Sequence, residues 1–115
     1  MRGIQYIHSL GIIHLDLKPF NIMFSNPEDD YNLRIIDYGL SERLPTGVNR
    51  VKVPGVARSK THPASQMTMC GTLEYMAPEV MDCKFASTGS DMWGVGSIAY
   101  LLLSGGKSPF WGGNR

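Results

Sequence analysis

The chain has 115 residues, 43% hydrophobic and 18% charged, with a formal net charge of +1. That is about one small domain, long enough to hide roughly two-thirds of its unfolded surface, and its ordinary composition argues against full disorder. The near-zero charge gives no support to nucleic acid or a membrane surface as partner, and Cys70 and Cys83 form neither a CxxC nor a zinc spacing, which fits reduced cytosolic thiols better than a disulfide framework.

The opening residues, Met1 to Tyr6, lack the apolar run and small-residue cleavage site of a secretory signal. Ile4, Ile7, His8 and Leu10 recur at helical spacing, and Gly11 stands at a natural helix-ending position. The pattern predicts the end of a helix over residues 1–10, with its beginning expected outside the chain. Ile12-Ile13 is a short apolar run, followed by a polar loop at 14–20. Ile22-Met23-Phe24 and Leu33-Arg34-Ile35-Ile36 are two further runs, separated by the turn cluster 25–30. These two predict a hairpin across a long turn.

The character then changes. No acidic residue lies between Glu42 and Glu74, while Arg43, Arg50, Lys52, Arg58 and Lys60 do. This stretch reads as an unusually long loop. Helix is expected at Pro78–Met81 and again at about 88–103, with Ser87 or Thr88 as its cap and Ser104-Gly105-Gly106 as its end. The longest uncharged apolar stretch, 92–106, is shorter than the ~20 residues a bilayer requires, so a buried core helix is expected there. Trp93, Tyr100 and the leucines 101–103 read as core, and Phe110 and Trp111 as packing against residues beyond this chain. There is no internal repeat.

The chemistry concentrates in two loops. His14-Leu15-Asp16-Leu17-Lys18-Pro19-Phe20-Asn21 places an Asp, a Lys and an Asn on one short segment, and Asp37-Tyr38-Gly39 begins 16 residues beyond Asn21. Asp16 can accept a proton from a hydroxyl, and Lys18 can neutralise an anion beside it. Asn21 and Asp37 are hard oxygen donors suited to Mg²⁺, which takes one or two carboxylates plus phosphate oxygens. The set is short of a metal site unless a nucleotide completes it. Alone, Asp16 or Asp37 would be an ordinary loop cap; their joint spacing argues otherwise. His8 and His14 read as packing or backbone-bonding histidines. Glu28, Asp29 and Asp30 read as a solvated turn tip.

With these residues in place, the chain resembles the eukaryotic protein kinases. Residues 14–21 resemble the catalytic loop and Asp37-Tyr38-Gly39 the DFG magnesium motif. Gly71-Thr72-Leu73-Glu74-Tyr75-Met76-Ala77-Pro78-Glu79 resembles the substrate-docking loop that ends in APE, and Asp91-Met92-Trp93-Gly94-Val95-Gly96 the start of the central helix. His-Leu-Asp-Leu-Lys-Pro, with residues 102–110, is similar to the calmodulin-dependent group of myosin-light-chain, titin-like and death-associated kinases.

The resemblance implies an α+β fold: a mainly helical, partial kinase C-terminal lobe with a small β-hairpin, spanning residues 1–115, with the N-lobe and the end of the C-lobe expected outside it. It implies Ser/Thr phosphoryl transfer from ATP with Mg²⁺ as cofactor. Asp16 would orient the substrate hydroxyl and take its proton, and Lys18 would sit against the transferring phosphoryl group. Thr72 would hydrogen-bond towards Asp16 and Lys18. Asn21 and Asp37 would hold Mg²⁺, and Met23 would floor the adenine ring. His14 and Tyr38 would stack in a column linking the lobes, and Asp91 would bind the catalytic-loop backbone. The implied partners are a protein substrate and calmodulin or an autoinhibitory segment outside this chain, in a cytoplasmic, cytoskeletal setting, with no nucleic acid or membrane.

Four departures stand out. The Gly-rich loop, strand lysine and helix glutamate of a kinase are not in these residues, nor is the arginine that usually pairs with the APE glutamate. Glu79 is therefore expected to lack a partner, and the 115-residue chain alone to be inactive and marginally folded. Leu15 replaces the arginine that in most kinases meets a phosphorylated activation-loop residue, so phospho-Thr68 or phospho-Thr72 would lose that partner. Phe20 and Leu101 stand where carboxylates often bind basic substrates, which predicts a weaker preference for arginine upstream of the phosphosite. The segment from Asp37 to Glu79 is long for the group, with the surplus around 48–65. It reads as a basic insert docking an acidic partner, as a retained intron or gene-model error, or as a solvated loop. The alternatives to a kinase are a truncated pseudokinase or scaffold module and a non-functional gene fragment; the intact Asp16, Lys18, Asn21 and Asp37 favour the kinase.

Overall fold

A computed structural model describes residues 2–52 and 72–110, without the side chains of Thr72 and Leu73. Most of the expected insert, Thr68, Cys70 and Trp111 lie outside the described residues.

Helix α1 (Arg2–Ser9) buries Ile4 and Ile7, one turn apart on a single face. It stops where Gly11 adopts φ +74 and its N–H reaches the His8 carbonyl at 3.0 Å. A side chain at Gly11 would meet the Leu44 carbonyl oxygen at 3.0 Å, so both the turn and the neighbour require glycine. Strand β1 (Ile12–Ile13) follows, then a single 3₁₀ turn at Pro19–Asn21. The expected hairpin forms from β2 (Ile22–Asn26) and β3 (Asp29–Ile35), antiparallel with Ile22 opposite Ile35 and Phe24 opposite Leu33.

The hairpin's turn is tighter than expected. The strands run into the polar cluster until only Pro27 and Glu28 connect them. The Asn26 amide oxygen accepts the Glu28 N–H at 3.1 Å, and the Asp29 carboxylate accepts the Tyr31 N–H at 2.8 Å. These short polar side chains close the backbone locally.

Two pieces of the predicted loop are strands. β4 (Glu42–Arg43) pairs with β1, and β5 (Arg50–Lys52) pairs with β6 (Phe85–Ser87), Val51 lying opposite Ala86. Alternation in β5 turns Val51 towards the core and leaves Arg50 and Lys52 exposed. Arg50 then lies over the Phe85 ring, 5.1 Å from its centre. After a 3₁₀ turn (Thr72–Tyr75), α2 (Pro78–Met81) leads through β6 into α3 (Thr88–Leu103).

α3 buries Ser90, Asp91, Gly94, Ser97 and Ile98, a stripe of mostly small residues. Gly94 lets the helix approach closely: an added Cβ would stand 3.2 Å from that of Leu17 and 3.4 Å from the Tyr75 carbonyl oxygen. The opposite face departs from expectation. Tyr100, Leu102 and Leu103 are exposed, because only the small-residue stripe is covered among the described residues. Trp93, also expected in the core, is exposed, and the exposed Phe110 ring stacks on it at 4.8 Å between centres. No described helix is long and apolar enough to cross a membrane.

Two cores result. One joins Ile4, Ile7, Leu17 and Ile98 beneath α1 and the hairpin. The other joins Ile13, Leu15, Ala77, Val80 and Ala86, with Leu44, Val51 and Met76 packed against it. The loop at 14–21 runs between them and supplies Leu15 to one and Leu17 to the other.

Candidate active site

The loop is held from below by one carboxylate. Asp91, fully buried on α3, accepts the His14 N–H at 2.8 Å on Oδ2 and the Leu15 N–H at 2.9 Å on Oδ1. His8 completes the set, its Nε2 standing 2.7 Å from Asp91 Oδ2. A buried carboxylate is tolerated only when its charge is met by donors, and three converge here. The backbone bonds are those the sequence implied for Asp91. His8 differs from expectation: it pairs with a side-chain carboxylate rather than with backbone. The two lie 83 residues apart, and only the folded chain brings them together.

His14 is fully buried and bridges two segments. Its Nδ1 accepts the Asp16 N–H at 3.1 Å, so Nε2 carries the proton and donates to the Ile36 carbonyl at 2.8 Å. The Tyr38 ring meets the imidazole edge-on, 4.9 Å between centres. The loop bearing Asp16 is thereby tied to the end of the hairpin, where Asp37 begins.

Asp16 is 9% exposed. Asn21 Nδ2 donates both to the Asp16 carbonyl at 2.7 Å and to its Oδ2 at 3.2 Å. That fixes one carboxylate oxygen and turns the Asn21 amide oxygen away from it. The other oxygen, Oδ1, is buried without a hydrogen-bond partner among the described residues. Lys18 Nζ stands 3.7 Å from it, beyond hydrogen-bond reach. Burial pushes the Asp16 carboxyl above its ordinary value, and the Asp37 charge acts the same way; Lys18, Asn21 and His14 oppose the shift.

Asp37 is exposed and adopts φ +60; its Oδ1 accepts the Gly39 N–H at 3.3 Å. The described residues contain no group of three or more His, Cys, Asp or Glu side chains arranged for a metal. Asn21 and Asp37 carry oxygen donors of the kind that a hard cation takes alongside phosphate and water. Met23 lies on β2 opposite Arg34 and is 54% exposed. The structure brings Asp16, Lys18 and Asn21 together, with Asp37 within electrostatic reach of Asp16; the Thr72 side chain lies outside the described residues.

Glu79 corrects a second expectation. It has a partner inside the chain: Ser90 Oγ donates to its Oε1 at 2.8 Å. Ser90 also accepts the Ser87 N–H at 3.1 Å and so caps α3. The one hydroxyl joins α2 to the start of the central helix, a link that only the folded chain reveals.

The chain is similar in sequence to known proteins of one family. A protein kinase domain family model matches residues 1–115. Human serine/threonine-protein kinase H1 is 42% identical over 113 residues, covering 98% of this chain and 23% of that protein. Mouse myosin light chain kinase family member 4 is 43% identical over 112 residues, covering 97% of this chain and 24% of its own length. The death-associated protein kinase dapk-1 of Caenorhabditis elegans is 41% identical over 113 residues, covering 98% and 7%. The chain thus spans less than a quarter of the length of each of these relatives.

Proposed function

Since the chain belongs to the protein kinase family, we propose that it carries the phosphoryl-transfer centre of a Ser/Thr kinase of the calmodulin-dependent group, set in the C-terminal lobe. The observation that carries this reading is the Asp16 carboxylate. One oxygen is held by Asn21, and the other is buried without a hydrogen-bond partner among the described residues, in an ion pair with Lys18 at 3.7 Å. A fixed carboxylate with one oxygen that accepts no hydrogen bond among the described residues, and with a raised affinity for protons, is suited to take the proton of a substrate hydroxyl. As that proton moves to Asp16 Oδ1, the hydroxyl oxygen bonds to the γ-phosphorus of ATP. The bond to the bridging oxygen breaks, and ADP leaves. Lys18 offsets the charge on the transferring group.

Asn21, through its amide oxygen, and Asp37 would hold Mg²⁺, which when bound neutralises the nucleotide phosphates. Met23 would lie under the adenine ring. The residues' part in catalysis is positioning and electrostatic stabilisation. The similarity to myosin light chain and death-associated kinases supports a protein substrate, with calmodulin or an autoinhibitory segment outside these residues as regulator. Transfer also needs a Gly-rich loop and a strand lysine, which these 115 residues do not contain, so the isolated polypeptide is expected to be inactive.

Asp16→Asn in the intact protein tests the reading. Phosphate transfer to a Ser/Thr peptide library should fall about 10²–10⁴-fold while Mg·ATP binding is retained. Unchanged turnover would overturn it.

A further inference from the structure

Leu15 stands beside the proposed base in a backbone conformation that its residue type disfavours. Its φ is +66, in the left-handed region that side chains other than Gly, Asn and Asp rarely occupy. Such a residue persists only where its surroundings over-determine it. Two surroundings do so here. Asp91 accepts the Leu15 N–H. The side chain, 9% exposed, belongs to the core of Ile13, Ala77, Val80 and Ala86.

Against that same core pack Leu44 and Val51, from the segment that follows Asp37. The segment is also held by two short ladders, β4 on β1 with two residue pairs and β5 on β6 with three, by the Leu44 N–H on the Gly11 carbonyl at 2.6 Å and by Arg50 over the Phe85 ring. Two-stranded ladders of that length are marginal without a shared apolar face. Leu15 is the member of the core that adjoins Asp16 in sequence, and it alone among the core's buried side chains lies on the catalytic loop.

We propose that Leu15 is a positioning residue, whose side chain fastens the segment 42–52 and helix α2 onto the loop carrying Asp16 by apolar packing. Its effect on turnover rests on the kinase reading above; the fastening itself does not. The ordinary alternative is a core leucine whose loss loosens the fold evenly.

Two substitutions separate these. Asn tolerates the left-handed backbone but cannot supply apolar packing. Met conserves the volume and the packing. In intact Leu15→Asn protein, amide exchange at 42–44 and 50–52 should speed up about tenfold or more, while the β2–β3 hairpin, which packs on the other core, exchanges as in the wild type. The kcat should fall by up to about 10²-fold through misplacement of Asp16, with the KM for Mg·ATP little changed. Leu15→Met should restore both readouts to within about threefold of wild type.

The proposal is overturned if Asn protects 42–52 as well as Leu does, if Met loosens the segment as much as Asn, or if exchange rises equally in the hairpin. A wild-type protein with no Asp16-dependent transfer would instead sink the kinase reading, and the exchange comparison would still decide the role of Leu15.

Discussion

Leu15 and Asp37 share a left-handed backbone, at φ +66 and +60, and they flank the same chemistry. Their confinement differs. Leu15 is buried, its N–H is held at 2.9 Å by a fully buried carboxylate, and its side chain is built into a core. Asp37 is exposed, and among the described residues its carboxylate is anchored by a 3.3 Å bond from Gly39 N–H. The difference follows from chemistry. A branched apolar side chain gains nothing locally from the left-handed region and must be held there. An aspartate tolerates that region, because its carboxylate can bond the neighbouring backbone. The side proposed to orient a hydroxyl is therefore fixed by the fold, and the side proposed to meet a cation is left accessible.

Asp91→Ala should break this contrast most severely. It strips the acceptor from two buried backbone N–H groups and from His8. Each unsatisfied buried donor costs about 1–3 kcal/mol, so a loss of about 3–5 kcal/mol is expected in urea unfolding. Asp91→Asn, which keeps one acceptor oxygen, should lose less. If Asp91→Ala unfolds at the wild-type urea concentration, the loop is not held from α3.

Glycine at the two left-handed positions sharpens the contrast at a smaller scale. At Leu15, relief of about 1–2 kcal/mol of backbone strain is outweighed by the lost burial, about 2–5 kcal/mol, and by the chain entropy of glycine. Leu15→Gly should thus be less stable by about 2–3 kcal/mol. At Asp37 little strain is relieved and no packing is lost, so Asp37→Gly should stay within about 1 kcal/mol of wild type. Equal losses at both positions in urea unfolding would mean that confinement is not what separates them.

How much of this was legible beforehand depended on whether a residue's neighbours were near in sequence. α1, the hairpin and α3 follow from the spacing of Ile4 and Ile7, from two apolar runs around Pro27, and from the long run after Thr88. The grouping of Asp16, Lys18 and Asn21 was legible because all three lie on one loop. β4 and β5 were not, since Val51-Lys52-Val53 is too short an alternation to mark a strand, and the Val51 partner Ala86 lies 35 residues away. The Ser90–Glu79 bond and the His8–Asp91 pair were hidden for the same reason. The exposed face of α3 was misread because a helix apolar on all sides says only that it can be buried, and the described residues cover one side of it.

The smallest expected effect concerns charge and separates Asp16 from a carboxylate on the hairpin. Burial raises the Asp16 pKa above its ordinary 3.8. The folded state therefore binds that proton more tightly than the unfolded chain does. Its contribution to stability is fully present below the unfolded value and is lost as pH rises through the folded one. Asp29 is the reverse case. The Tyr31 N–H and then the Asn32 amide hold its carboxyl below the ordinary value. Its contribution is present above the unfolded value and lost as pH falls through the folded one. Melting temperatures between pH 3 and 8 should separate the two. Asp16→Asn should gain on wild type as pH rises and lie above it at neutral pH, whereas Asp29→Ala should lose its deficit as pH falls. An Asp16→Asn curve parallel to wild type would show that the carboxylate is not desolvated. A gain in stability with a loss of transfer would mean that the fold keeps the Asp16 carboxyl buried for its chemistry, against its own stability.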